Sequence, residues 1–255
     1  MKKSTFIVIA FALAAMTSIA TAQTADEIVA SNLEAKGGEQ AWLDVQTAKW
    51  TGKMLMGGGA AGTVEFPFEV EFKRPDKVRV QFTMQGMTAV QAFDGETGWS
   101  IMPFLGKPDP EVMAEEQLKE VKSMAEFDGV FVNYKEKGHT IELLGQEEID
   151  GTPAYKLKVT KADGDVDTVY LDEEYFVEFR VDSKREVQGN EIEVTPIIGV
   201  YKDVEGLVFA HSMEISFGGE GRQVITIDSI ETGLDIPDDR FTMPEKTASA
   251  EPAEE

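Results

Sequence analysis

The chain of 255 residues has no cysteine and only two histidines, His139 and His211. Without cysteine there are no disulfides, thiol nucleophiles, thiolate metal sites or lipid-bearing N-terminal cysteine. Two histidines leave little room for a zinc hydrolase or a histidine-based triad. Positive charge is scarce as well: 24 Lys and Arg stand against 47 Asp and Glu, a net charge of −23. Nucleic-acid affinity depends chiefly on Lys and Arg neutralising phosphates, so nucleic-acid binding is excluded. Docking on anionic lipid headgroups is opposed for the same reason. A protein partner of this acidic surface is expected to offer a basic patch and to release as salt rises.

What is there begins with an address. Met1-Lys2-Lys3 is a short positive segment, residues 6–16 are apolar, and Ala20-Thr21-Ala22 has the small-x-small form of a cleavage site. The apolar stretch falls short of the ~20 residues of a spanning helix, and no later run approaches that length. Residues 1–22 therefore read as a signal peptide cleaved after Ala22, with Gln23 as the first mature residue. Loss of Lys2 and Lys3 takes the net charge from −23 to −25. In a bacterium with two membranes the compartment is the periplasm, with no stable membrane insertion. Residues 23–244 read as one domain, long enough to bury a core, and 245–255 as a disordered acidic tail.

Thr24-Ala25-Asp26-Glu27 has the form of a capping box, predicting a helix with Ile28, Val29 and Leu33 on one side that stops at Gly37-Gly38. A short turn is expected over 40–45. From Lys49 the apolar period becomes two. Val64, Phe66, Phe68, Val70 and Phe72 alternate with Glu65, Pro67, Glu69, Glu71 and Lys73. Beyond Arg74-Pro75-Asp76, Val78, Val80, Phe82 and Met84 alternate in the same way with polar residues. This is the pattern of antiparallel strands with one covered and one wet face. Asp94-Gly95 and Asp163-Gly164 are hairpin signals. Further strands are predicted over 140–144, 154–160, 168–171, 176–181, 191–201, 207–217 and 223–230. One helix interrupts them: Asp109 suits an N-cap and Pro110 the first helical position. Ala114, Leu118, Val121 and Ala125 follow as a stripe with Met113 and Met124 beside it.

Several chemical signatures are weaker than they look. Gly57-Gly58-Gly59-Ala60-Ala61-Gly62-Thr63 lacks the lysine and the following helix of a phosphate loop, and reads as a hairpin loop. Asp163, Asp165, Asp167 and Glu174 have calcium-loop spacing, but Thr168 stands where such a loop needs glycine. His211 sits in an alternating strand with no second histidine nearby, and no serine has a nucleophile-elbow context. No catalytic residue, metal or cofactor is assigned. Seven methionines (Met54, Met56, Met84, Met87, Met102, Met113 and Met124) concentrate between positions 54 and 124. They suit either ordinary core filling or an apolar surface that repacks around varied ligands. Arg74 continues the parity of Phe72 and so faces inward if the strand persists. There it either finds acceptors, such as carbonyls at the C-terminus of a covering helix, or snorkels to water.

An ordered set of motifs now resembles a family. Phe72-Lys73-Arg74-Pro75-Asp76, an alternating strand, and Phe93-Asp94-Gly95-Glu96-Thr97-Gly98-Trp99 resemble the LolA-type periplasmic carriers of outer-membrane lipoproteins. Gly151-Thr152-Pro153-Ala154-Tyr155-Lys156-Leu157-Lys158-Val159 and Tyr170-Leu171-Asp172 resemble the lipoprotein-sorting branch of that superfamily. So do Tyr201-Lys202-Asp203-Val204-Glu205-Gly206-Leu207-Val208-Phe209 and Asp239-Arg240-Phe241-Thr242-Met243-Pro244. Two departures stand out: Val78 and Val80 occupy places of bulkier aromatics, and Ala210 precedes His211 where relatives often have proline.

The resemblance implies a mainly β (α+β) fold: a curved, incomplete antiparallel β-barrel whose helices cover its concave apolar face. It implies a non-enzymatic carrier, here a monomer, that takes acyl chains of lipoproteins or another hydrophobic ligand from an inner-membrane donor complex toward an outer-membrane acceptor. The cavity would be lined by Val64, Phe66, Phe68, Val70, Phe72, Val78, Val80, Phe82, Met84, Trp99 and Ile101. A lid helix over 110–127 would present Met113, Leu118, Val121 and Met124, with Arg74 holding the lid shut. The alternatives are a sensor of lipoproteins acting through a protein partner, and a hydrolase of a bound lipid.

Overall fold

A computed structural model describes residues 23–57, 62–187, 190–218 and 221–245. The expected signal peptide, residues 58–61 of the glycine-rich loop and residues 246–255 of the tail lie outside the described residues. Thr24 caps α1 (Ala25–Ala35): its hydroxyl accepts the Glu27 amide at 3.3 Å, and the Glu27 carboxylate accepts the Thr24 amide at 2.8 Å. Gly37, at φ 104°, follows the helix because only glycine fits; a Cβ there would lie 2.2 Å from the Gly206 carbonyl oxygen. The segment expected as a turn over 40–45 is instead a short helix, α2 (Glu39–Asp44), which buries Trp42. Six residues are too few to show a helical period.

Among the described residues thirteen strands follow. β1 (Thr47–Gly57), β2 (Thr63–Lys73), β3 (Lys77–Met84), β4 (Met87–Phe93), β5 (Gly98–Met102) and β6 (Lys107–Val112) form one meander. After α3 (Glu115–Met124) a second meander comprises β7 (Thr140–Ile149), β8 (Thr152–Thr160), β9 (Val166–Asp172), β10 (Glu178–Val187), β11 (Asn190–Val204), β12 (Leu207–Phe217) and β13 (Arg222–Thr232). All are antiparallel in one sheet, and β1 pairs with β13 to join the meanders. β6 and β7 stand at the two ends of the strand order, so the curved sheet does not close.

The predicted helix start at Asp109-Pro110 is corrected: both residues belong to β6, and α3 begins at Glu115 after Ala114. A proline that suits a first helical turn also suits an edge strand, where its missing N–H costs no ladder bond. The strand expected over 176–181 begins two residues later, because Phe176 has φ 55° and its amide closes a turn onto Asp172.

Directly paired residues on neighbouring strands share a face. Ala48, Phe72, Val78 and Phe93 therefore lie in one row, and Trp50, Val70 and Val80 in the next. Met54 lies between Phe66 and Ile225. On the other meander Leu157, Val169 and Val181 form the corresponding row. These residues meet Ile28, Val29, Leu33, Trp42, Val121, Phe127 and Phe131 in one core. Bulk is matched by a missing side chain at Gly98, where a Cβ would stand 2.6 Å from Leu118 of α3.

The opposite face carries the row Glu71, Arg79, Ala92 and Trp99. Trp99 and Ile101 are thus corrected: they face away from the cavity, in a separate cluster with Val90, Ala92 and Met243. A strap over 234–243 covers this face. Arg240 donates to Glu71 at 2.7 Å, Lys73 pairs with Asp238 at 2.7 Å, and Trp99 Nε1 donates to the Phe241 carbonyl at 2.7 Å.

Candidate functional site

The site is built around the end of β2. The Arg74 amide donates to the Gln46 carbonyl at 2.9 Å, and the Arg74–Pro75 peptide bond is cis. The guanidinium turns inward. Its Nε donates to the Val45 carbonyl at 2.8 Å; its Nη2 donates to the Trp42 carbonyl at 2.9 Å and to Asp128 Oδ2 at 2.7 Å. It also lies 4.9 Å over the Phe127 ring. Trp42 and Val45 are in the last turn and C-cap of α2, where carbonyls carry partial negative charge; that of Trp42 also accepts the Val45 amide at 3.3 Å. The helix whose C-terminus meets Arg74 is therefore α2, not the central helix.

Asp128 is the partner that sequence reasoning missed. Its side chain is 2% exposed, and its second oxygen accepts from Lys137 Nζ at 2.8 Å, which also donates to the Gly129 carbonyl at 2.9 Å. One guanidinium thus ties together the sheet, α2 and the segment after α3. Nothing local in Phe127-Asp128-Gly129 marks Asp128 as buried.

The expected lining residues separate by depth. Phe66, Phe68, Phe72, Val78 and Val80 are buried; Val70, Phe82 and Met84 are half-buried. Val64 is 44% exposed at the rim. Phe82 links two neighbours, its ring 5.5 Å from Phe66 and 5.7 Å from Phe104. In the lid region Met113 and Val121 are buried and Leu118 half-buried, whereas Met124 is 49% exposed and does not face inward. α3 packs over β3, β4 and β5, and α1 approaches β7. Away from these helices the concave face continues as Met54, Met213, Ile215, Phe217 and Ile225, half-buried rather than sealed.

A cleft of about 800 Å3 opens between α3, the 125–139 segment and the turn after β8. Lys119 of α3 reaches across it to Asp165 at 2.8 Å and Asp163 at 3.3 Å. His139 is buried in its wall, with Nδ1 accepting the Ala162 amide at 3.2 Å and Nε2 3.7 Å from Glu126. The acidic hairpin is thus ion-paired: Asp167 accepts from Lys161 at 2.7 Å and from Arg185 at 3.0 Å. Among the described residues no cluster could hold a metal ion. His211 is buried, its Nδ1 3.2 Å from the Phe209 carbonyl.

Two buried carboxylates make stability depend on pH. Burial opposes ionisation of Glu178 and Asp167, yet Lys36 at 3.1 Å and Lys161 at 2.7 Å hold both below their ordinary values of 4.5 and 3.8. A carboxyl lowered on folding contributes its stability fully above its unfolded value and loses it as pH falls through the folded one. The urea midpoint is therefore expected to stay level from pH 7 to about 5 and to fall below that. A flat midpoint down to about pH 3 would contradict the pairing.

No protein-family model and no curated protein matches the sequence. Solved structures do match. A LolA superfamily protein from Nitrosomonas europaea aligns with TM-score 0.62 at 16% identity, covering 87% of this chain and 98% of its own. A DUF1329 family protein from Desulfovibrio piger aligns with TM-score 0.61 at 12% identity, covering 84% and 97%. A putative outer membrane lipoprotein-sorting protein domain from Vibrio parahaemolyticus aligns with TM-score 0.57 at 14% identity, covering 85% and 95%. The open, thirteen-stranded antiparallel sheet of the described residues, with helices against its concave side, and these likenesses agree: the chain has a LolA-like fold.

Proposed function

We propose that this protein is a periplasmic carrier that holds the acyl chains of lipoproteins, or another hydrophobic ligand, against the concave face of its sheet. The observation that carries this reading is the incomplete cover of that face. Buried Phe66 and Phe68 grade into half-buried Phe82, Met84, Met54, Ile215 and Phe217, an apolar surface that the fold leaves accessible. Each methylene placed there gains about 0.8 kcal/mol, so a chain binds without directional contacts. Arg74 is the latch: its bonds to α2 and Asp128 keep the covering segments closed until exchange. An inner-membrane donor and an outer-membrane acceptor would load and unload a monomeric carrier whose leader is removed after Ala22.

Wild type and Arg74→Leu, each purified without detergent from a periplasm, provide the test by native mass spectrometry and organic extraction. Acylated cargo is expected on the wild type, with occupancy altered in the variant. Clean apo protein in both would overturn the carrier reading.

A further inference from the structure

The concave face is apolar along β11 and β12, where Val194, Ile215 and Phe217 lie half-buried. It is not apolar everywhere. Asp167 has the strand parity of Val169 and Leu171, which are core residues, so it faces inward. Ser183 pairs with both Asp167 and Val194, which places it and Arg185, two residues on, on the same face. Lys161 continues the inward parity of Leu157 and Val159 just past the end of β8.

These side chains form a complete set around the carboxylate. Ser183 donates to Asp167 Oδ1 at 2.6 Å, Arg185 donates to the same oxygen at 3.0 Å, and Lys161 meets Oδ2 at 2.7 Å. Asp167 has a donor on each oxygen, and each cation keeps N–H groups beyond the ones it gives to Asp167. The two cations share one carboxylate, on an inner face of a protein whose net charge is −23. Arg185 is 34% exposed and, among the described residues, also donates to the adjacent Lys184 carbonyl at 3.0 Å; Lys161 is 19% exposed. Of the nearby acids, Asp163 and Asp165 are bridged by Lys119, with Asp163 also in the field of Lys161, and Glu191 pairs with Lys184. Charges are costly on an apolar surface, and this set spends that cost on open donors beside an apolar row.

We infer that Lys161 and Arg185 form a headgroup subsite, and that the cargo is an amphiphile with an anionic head, carboxylate or phosphate, whose chain runs along Val194, Ile215 and Phe217. The inference rests on the carrier reading and narrows it. Asp167 and Ser183 hold the two cations in position; charge-assisted bonds from Arg and Lys then fix one end of a ligand that the apolar face alone would let slide.

Fluorescence titration with cis-parinaric acid and with its methyl ester tests this, since the two share a chain and differ in charge. The wild type is expected to bind the acid about tenfold more tightly than the ester. Arg185→Met and Lys161→Met are expected to bring the two affinities together by weakening the acid alone, and Arg185→Lys to restore the preference. Lysophosphatidic acid is expected to displace the probe, and the same concentration of inorganic phosphate is not. Equal binding of acid and ester by the wild type, preference surviving in both Met variants, or displacement by inorganic phosphate would overturn the subsite. Failure of both probes to bind would overturn the carrier reading itself. Circular dichroism of each variant separates misfolding from loss of the subsite.

Discussion

Arg74→Leu is expected to lower the unfolding free energy by roughly 3–5 kcal/mol, the range for breaking a buried ion pair from one side. The leucine leaves the Val45 carbonyl without the guanidinium, the Trp42 carbonyl with the Val45 amide alone, and Asp128, 2% exposed, with Lys137 alone. The loss should be local in the native state as well as global. Amide hydrogen exchange is expected to quicken across α2 and the segment 125–134 while β7 to β10 keep their protection. Uniform exchange across the chain, or an unchanged denaturation midpoint, would mean that the guanidinium does not hold these segments. Asp128→Asn keeps the shape and an acceptor but removes the charge, so its cost should fall below that of the leucine variant.

Trp42→Ala is expected to cost roughly 3–5 kcal/mol as well, but for a different reason. The indole is 2% exposed, 4.5 Å from the Phe209 ring, with Nε1 donating to the Lys36 carbonyl at 2.9 Å. Removing it opens a cavity beneath α2 but spares the Trp42 carbonyl that Arg74 uses, because that oxygen belongs to the backbone. Packing and latch can therefore be separated. Trp42→Phe should recover most of the loss, since it refills the space and gives up only the N–H bond. Equilibrium urea unfolding of the three proteins decides; equal losses for Ala and Phe would assign the effect to the hydrogen bond instead.

The parts of this molecule that were readable in the sequence are those with a strict period. β2 and β3 alternate cleanly because one face is apolar and the other carries Glu, Lys and Arg, so which of their residues share a face is legible from parity alone. β12 was read to its full extent over 207–217 for the same reason. β4 gave no such signal: Ala89, Val90, Ala92 and Phe93 are apolar on both faces because the strap over 234–243 covers the outer one. Parity was lost there, and Trp99 and Ile101 were placed on the wrong side. Asp128 was invisible because its burial depends on Arg74, distant in sequence and close in space. Asp167 was visible as one acid of a hairpin, but its inward direction follows from pairing with Ser183.

The pairing of β1 with β13 has a consequence for how the chain finds its shape. Every other neighbouring pair of strands is consecutive in sequence, so each meander can assemble through short loops with little closure entropy. The single long-range ladder must wait for both halves, and it is the step that brings the first strand against the last. Until that ladder zips, each half-sheet presents an unpaired inner edge together with its uncovered apolar face, the two features that drive misassociation of folding intermediates. The period of greatest risk in the life of this protein therefore comes at the joining of its halves, and a chaperone that acts on it would be expected to shield the edge of β1 or of β13 rather than the outer strands.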